Sequence, residues 1–363
     1  MSDLDAQASC QLVPVSVVTG FLGSGKTTLL NHLLCRAGLR RTAVIINEFG
    51  EICLDHPLFA AIRDEIFVMR SGCLCCTLRG DLIDCLCQLM DRRLQGEIAP
   101  FDRVIFETTG LADPAPIIQT LICHPWLNGY YRLDSVATTV DALNAERQLD
   151  CQPESVKQVA LADHLVVTKT DLTGARAMAA LTERLRRLNP RAPMIRAVQG
   201  QVAPECLFGI GPFDPTDRQP NLRCWLGTAD DPDRESCGEA VAHCERAGDA
   251  YDGGGDRHQG QIRTFALASE APLVWERTDD WLGQLIGCYG EDLLRVKGLL
   301  NLAGVDAPVV IHGVQHLFHQ PIPLPAWPTE DRRSLMVFVV RDIARTEIEA
   351  GFRACALDHP GRR

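Results

Sequence analysis

The sequence has no surplus of positive charge, no long apolar run and no internal repeat. Its 36 lysines and arginines face 47 aspartates and glutamates, a formal net charge of -11. That balance argues against a nucleic-acid partner held by general electrostatics, because a polyanion needs a basic footprint. No stretch approaches the roughly 18 apolar residues of a membrane span, so no membrane partner is expected. The opening MSDLDAQASCQ is polar and acidic, with neither the basic start nor the apolar core of a secretory signal. The expected compartment is the cytoplasm, where the 16 cysteines should be reduced thiols rather than a disulfide framework.

The composition that is present is that of a soluble globular protein, with 46% hydrophobic and 23% charged residues over 363 positions. A single core rarely grows past about 250 residues, so two domains are expected. In the first two hundred residues, short β-branched runs alternate with helical patterns, the signature of a doubly wound, mostly parallel sheet with helices on both faces. The predicted strands are Val13 to Thr19, Thr42 to Ile46, Ile66 to Met69, Arg103 to Glu107, Ser135 to Val140, His164 to Thr168 and Met194 to Ala197. The helix after the first strand is expected to stop at Gly38, glycine being favoured at that position. Pro, Gly and Asp then dominate 209–260, which reads as a flexible acidic linker. Its Cys224, Cys237, His243, Cys244 and His258 match no closed zinc spacing. From 261 to 363 strand-like and helical segments suggest a smaller α+β domain. The α/β domain is accordingly set at 1–208.

The chemistry begins where the first strand meets Gly20-Phe21-Leu22-Gly23-Ser24-Gly25-Lys26-Thr27, a G-x-x-x-x-G-K-[ST] run at a strand-loop-helix junction. Gly20, Gly23 and Gly25 allow backbone N–H groups to curl around phosphates, with Ser24 and Thr28 in the same cradle. Lys26 would reach the terminal phosphates and Thr27 would ligate Mg²⁺. A nucleotide hydrolase also needs an acidic residue near the metal and the attacking water. VIFETTG offers Glu107, the alternative being a plain solvent-facing strand end, and puts Gly110 where an amide could meet the γ-phosphate. In HLVVTKTDL, Asp171 can accept the paired N–H groups of guanine while the Lys169 stem lies across the ring. Adenine lacks that donor pair. The usual GTPase run is Asn-Lys-x-Asp, and here Thr168 takes the first place.

SGCLCC puts Cys73, Cys75 and Cys76 in the region where the loops of such proteins respond to the γ-phosphate. Thiolates ahead of a helix N-terminus have lowered pKa values and suit a soft or borderline ion such as Zn²⁺. Three readings stand: a metal held for delivery, a closed zinc staple, or a redox pair. Glu48 or Glu51 could complete the coordination. Cys85 and Cys87 point in different directions on the next helix and are left out. His312, His316 and His319 in VVIHGVQHLFH are not counted as ligands; a strand would place the first two on one face.

Taken together, VVTGFLGSGKTTLLNHLL, INEFGE, SGCLCC, VIFETTGLADP and TKTDL resemble the CobW-type family of P-loop GTPases, relatives of the HypB and UreG nickel-insertion GTPases. The resemblance continues through LLRVKGLLNLAG, PVVIHGVQHLFH and WPTEDRRSLMVFVVRDI into that family's small C-terminal domain. It implies GTP hydrolysis with Mg²⁺, metal at the Cys-x-Cys-Cys motif, Zn²⁺ first and Co²⁺ second, and transfer to a client metalloprotein. Thr168 and the lack of a long histidine run depart from the pattern. A homodimer is one open arrangement, and so are a zinc-buffering protein with nucleotide-controlled association and a kinase using ATP.

Overall fold

The computed structural model describes residues 12–34, 39, 41–47, 66–69, 78–209, 262–327 and 330–356. Its described residues fall into two compact units. One comprises Met1–Gln158, Ala162–Gly174 and Met194–Asn221, the other Val159–Leu161, Ala175–Pro193 and Leu222–Arg363.

The first unit is built on a seven-stranded sheet of β1 (Val13–Gly20), β2 (Thr42–Asn47), β3 (Ile66–Met69), β4 (Arg103–Glu107), β5 (Tyr131–Asp141), β6 (His164–Thr168) and β7 (Met194–Ala197). The order is β3-β2-β4-β1-β5-β6-β7, and every pairing is parallel. β1, β4 and β6 are buried on both faces, which is why they read as continuous apolar runs rather than alternations. The predicted strands are found within a residue or two, except that β5 starts four residues earlier, at Tyr131. Among the described residues the helices up to Leu161 are α1 (Lys26–Leu34), α2 (Leu78–Leu94), α3 (Ala115–Cys123), α4 (Ala145–Cys151) and α5 (Pro153–Leu161), the last three residues of α5 being counted with the second unit. Leu29, Leu30 and Leu33 of α1 pack on Val18, Ile105, Ala137 and Val166 of the central strands. The apolar face of that helix therefore seats its N-terminus at the carboxyl end of β1. The helix stop expected at Gly38 lies outside the described residues. Toward the opposite end of the strands, Asp134 accepts from Ser16 Oγ (2.9 Å) and from the Gly209 amide (2.9 Å), which ties the segment after β7 to β5.

The second unit contains α6 (Ala175–Leu188) and an antiparallel sheet. Its strands are β8 (Ile262–Ser269), β9 (Arg295–Leu300), β10 (Val309–Val314), β11 (Leu317–Phe318), β12 (Ile322–Pro323) and β13 (Ser334–Arg341). The order is β11-β10-β9-β13-β8, with β12 paired to β10. Met336, Phe338 and Val340 of β13 share one face and pack with Trp281 and Leu285 of α7 (Trp275–Tyr289) and Ile348 and Phe352 of α8 (Arg345–Ala354). Phe338 lies 5.6 Å from the Phe265 ring and 6.1 Å from Trp281, within the range where aromatic pairs add to area burial. The buried Arg295 donates through Nε to His312 Nε2 (3.3 Å) and through a guanidinium nitrogen to the Leu161 carbonyl. Of the three histidines only His312 lies on β10; His316 sits in the turn before β11, and His319 follows it with Nδ1 2.6 Å from the Gln320 carbonyl.

Phe338→Ala removes the ring at the centre of this cluster and is expected to destabilise the unit by about 3–5 kcal/mol. The denaturant midpoint followed by tryptophan fluorescence measures it, Trp275, Trp281 and Trp327 all being in this unit.

Candidate nucleotide site

The loops after β1, β4, β5, β6 and β7 all emerge at the carboxyl edge of the parallel sheet, where open α/β sheets bind ligands. At its centre the chain passes from β1 through residues 21–25 into α1. Gly20 turns at φ 139°, and a Cβ there would sit 2.3 Å from Thr139 Oγ1 and 2.4 Å from its carbonyl oxygen. Only glycine fits between the strand and its neighbour. Gly23 and Gly25 also take positive φ, at 71° and 92°. Buried Ser24 shares a 2.6 Å hydroxyl hydrogen bond with Thr139.

Lys26, the first residue of α1, is buried and folds its ammonium back to the Gly20 and Phe21 carbonyls at 2.9 and 3.2 Å. A cation is thereby held across the mouth of the loop. Thr27 and Thr28 are exposed, and the Thr27 hydroxyl donates to Glu107 Oε1 at 3.2 Å. Glu107 is 5% exposed, so the solvent-facing strand end is not what the structure shows. Next to it the Thr108 hydroxyl donates to Thr19 Oγ1 (2.8 Å) and the Thr108 amide to the Val18 carbonyl (3.0 Å). Gly110 then lies against the phosphate loop itself, since an added Cβ would stand 2.7 Å from the Leu22 nitrogen. Sequence reasoning placed the Gly110 amide where it could meet a γ-phosphate; the fold sets this glycine against Leu22 of the loop after β1.

The TKTDL segment also reaches the loop. Thr168 donates its hydroxyl to the Ser24 carbonyl (2.8 Å). Lys169, in the left-handed region at φ 55°, donates to the Gly23 carbonyl (2.9 Å) and to Asp141 Oδ2 (2.7 Å). Asp171 is exposed in the single 3-10 turn Thr170–Leu172.

Asp141 is a site residue the sequence reading missed. It is buried at the end of β5 and accepts from Lys169 Nζ, Asn144 Nδ2 and the Leu143 amide. Burial alone would raise its pKa, but the Lys169 and Asn144 hydrogen bonds outweigh that and hold it below the ordinary carboxylate range. The available signal was an acidic residue closing a strand of the same parallel sheet. The loop after β7 was missed as well. Gly200 takes φ 75°, and a Cβ there would lie 2.5 Å from the Thr28 carbonyl, so this loop abuts the start of α1.

Cys73, Cys75 and Cys76, with Glu48 and Glu51, lie outside the described residues, as do the linker cysteines and histidines. Among the described residues no group of three or more His, Cys, Asp or Glu side chains could hold a metal ion. Burial pushes the Cys85 thiol up to about 11. Cys87 is also raised, by burial and then by Asp91 and Asp84. Both shifts favour the protonated thiol. No helix among the described residues is long and apolar enough to cross a membrane.

Two family models match the chain: the CobW/HypB/UreG nucleotide-binding domain over residues 14–196 and the cobalamin synthesis protein cobW C-terminal domain over 262–356. The Escherichia coli protein named zinc chaperone YjiA is 32% identical over 340 residues, covering 94% of this chain and 98% of that one. The zinc chaperone CobW of a Sinorhizobium species is 28% identical over 96% of this chain and 99% of its own. The crystal structure of the Zn(II)-bound YjiA GTPase from E. coli superposes with a TM-score of 0.66 at 30% identity, over 95% of this chain and 99% of that one. With the phosphate loop, its acidic partner and both domain models in chain order, the protein belongs to the CobW/HypB/UreG family.

Proposed function

We propose that the protein is a GTP-hydrolysing metal chaperone that carries zinc, with cobalt as the second choice, on Cys73, Cys75 and Cys76 and hands it to a client metalloprotein. The observation that carries the nucleotide half is the meeting of Thr27 and Glu107 at 3.2 Å beside the Lys26 ammonium. A hydroxyl and a carboxylate converging at the start of the helix are hard oxygen donors of the kind Mg²⁺ selects. They fit that ion, with Thr27 and Glu107 as the residues that would hold it. When bound it draws charge from the phosphate oxygens.

The chain's own groups have separate tasks. Lys26 supplies a fixed positive charge for the phosphoryl oxygens that gain negative charge as the bond to the leaving GDP breaks. The amides of residues 20–28 receive the other phosphate oxygens. Glu107 orients groups at the attacking side, and water ends as phosphate, with GTP and H₂O giving GDP and inorganic phosphate. Asp171 accepts the guanine N–H pair. Lys169, tied to Asp141 and Gly23, lines the base side. Thr168 is shorter than the usual Asn and spends its hydroxyl on the Ser24 carbonyl.

The metal half rests on the zinc-chaperone relatives that cover almost the whole chain and on the Cys-x-Cys-Cys run between β3 and α2. A reducing cytoplasm keeps those thiols available. For hydrolysis to release the ion, it must bind the GTP and GDP states with different free energies, because a ligand indifferent to two states shifts neither. A zinc competition titration in GTP analogue and in GDP is expected to give different affinities, and Cys75→Ala is expected to abolish tight binding in both. Equal affinities would remove the release mechanism and favour zinc buffering instead.

Glu107→Gln should leave nucleotide binding in place and lower kcat by about 100-fold or more, measured by phosphate release, with ATP as competitor to check base choice. The Lys169–Asp141 pair adds a pH signature. The Asp141 pKa is depressed in the folded protein, so its contribution to stability is complete above the ordinary carboxylate value near 4 and is lost as pH falls through the lower folded value. Asn144→Ala removes one of the lowering hydrogen bonds, and its acid-unfolding midpoint is expected at higher pH than wild type.

A further inference from the structure

Residues 108–114 run from β4 to α3 and are pinned from two sides. On one side Gly110 lies against the Leu22 backbone of the phosphate loop. On the other, Gln158 of α5 donates through Nε2 to the Gly110 carbonyl (3.2 Å) and the Ala112 carbonyl (3.0 Å). Its neighbour Lys157 places Nζ 2.8 Å from Asp113 Oδ2, whose other oxygen takes the Ala115 amide at 2.9 Å. Gln158 is 1% exposed. Its own carbonyl accepts from Thr138 Oγ1 on β5 at 2.8 Å, so the grip is referred back to the central sheet. Two carbonyl oxygens that close need a group with at least two N–H donors and no acceptor turned toward them. An amide supplies them; a carboxylate or a hydroxyl does not.

We infer that Gln158, assisted by Lys157, is a positioning residue for phosphoryl transfer. Its side-chain amide presets the 110–112 backbone, and with it the place of Gly110 beside the phosphate loop, before a γ-phosphate arrives. The loop's position is then a balance between the hold of α5 and contact with the terminal phosphate. Loss of that phosphate leaves the loop to the hold of α5 and the Leu22 contact alone. This rests on the reading of the chain as a GTPase.

The test uses the full chain and compares Gln158→Leu, Gln158→Glu and Lys157→Gln in steady-state GTP hydrolysis and in GDP binding by calorimetry. Misplacing a reacting environment by about 1 Å can lower a rate by roughly 100-fold, and Gln158→Leu is expected to lower kcat by about 10- to 100-fold on that basis. GDP affinity should be unchanged, because GDP lacks the phosphate that this loop meets. In Gln158→Glu an ionised carboxylate faces two carbonyl oxygens at neutral pH. Its kcat, relative to wild type, should rise as pH falls, since the protonated acid regains one donor; the charged groups at this loop, Lys157 and Asp113, are common to both proteins. Lys157→Gln should act in the same direction and less. Wild-type kcat in all three variants overturns the inference. So does GDP affinity falling in step with kcat, which marks general damage, or a Glu variant without the acid rise. If the Gln158 variants fail to fold, Lys157→Gln and Asp113→Asn on the part-exposed pair decide. Lower kcat at unchanged GDP affinity and unfolding midpoint supports the inference, and wild-type kcat overturns it. A wild-type rate that survives Lys26→Ala would instead sink the GTPase reading itself.

Discussion

The site depends on the parallel pairing of β4 with β1, in a register that sets Glu107 beside Val18. That register puts the carboxylate two residues short of Gly20 on the neighbouring strand, within reach of Thr27 once the loop has turned. A one-residue slip would carry Glu107 to the other face of the sheet, and the 3.2 Å contact could not form. The register is secured on both sides. β1 is paired to β4 and β5 along its length, and Val15, Val17 and Val18 are fully buried. Apolar packing that shows no chemistry of its own thus decides where the chemical groups meet.

The same dependence governs the phosphate loop. Its carbonyl oxygens are engaged one after another: Gly20 and Phe21 by Lys26, Gly23 by Lys169, Ser24 by Thr168. The peptide unit is planar and trans, so fixing the Ser24 carbonyl toward Thr168 turns the Gly25 amide the opposite way. Side chains from β6 and its following turn therefore help set which way the loop presents its donors. Thr168 performs this tethering although it lacks the reach of Asn. The departure from the usual GTPase run falls on a residue whose contact here is with the protein's own backbone.

Much of this was legible in the sequence because the signals were local. Strand spans followed from β-branched runs, the phosphate loop from glycine spacing at a strand end, and Gly110 and Glu107 from their place one strand over. Asp141 and Gln158 were not legible. Gln158 stands in PESVKQVAL, where a glutamine reads as part of a solvated helix face, and only the closed tertiary structure shows it buried against two carbonyls. Asp141 looked like the start of an ordinary turn, and its role appears only when β5 and β6 pair so that Lys169 reaches it. The loop at Gly200 needed the same long-range information. His312, His316 and His319 were not counted as ligands; the hairpin after Val314 brings the His319 amide back to the His312 carbonyl at 2.8 Å and leaves His316 in the turn.

The metal half differs in kind from the nucleotide half. The groups proposed for guanine and phosphate are brought together by the fold from the ends of β1, β4 and β6, and they meet through oxygen and nitrogen atoms. Cys73, Cys75 and Cys76 are neighbours in the chain itself, so the three ligands proposed for one soft ion would come at little cost in long-range chain entropy. The proposed carrier role asks for that separation: the groups of the nucleotide site are set by packed strands such as β1, while the thiols proposed for the cargo follow one another in sequence.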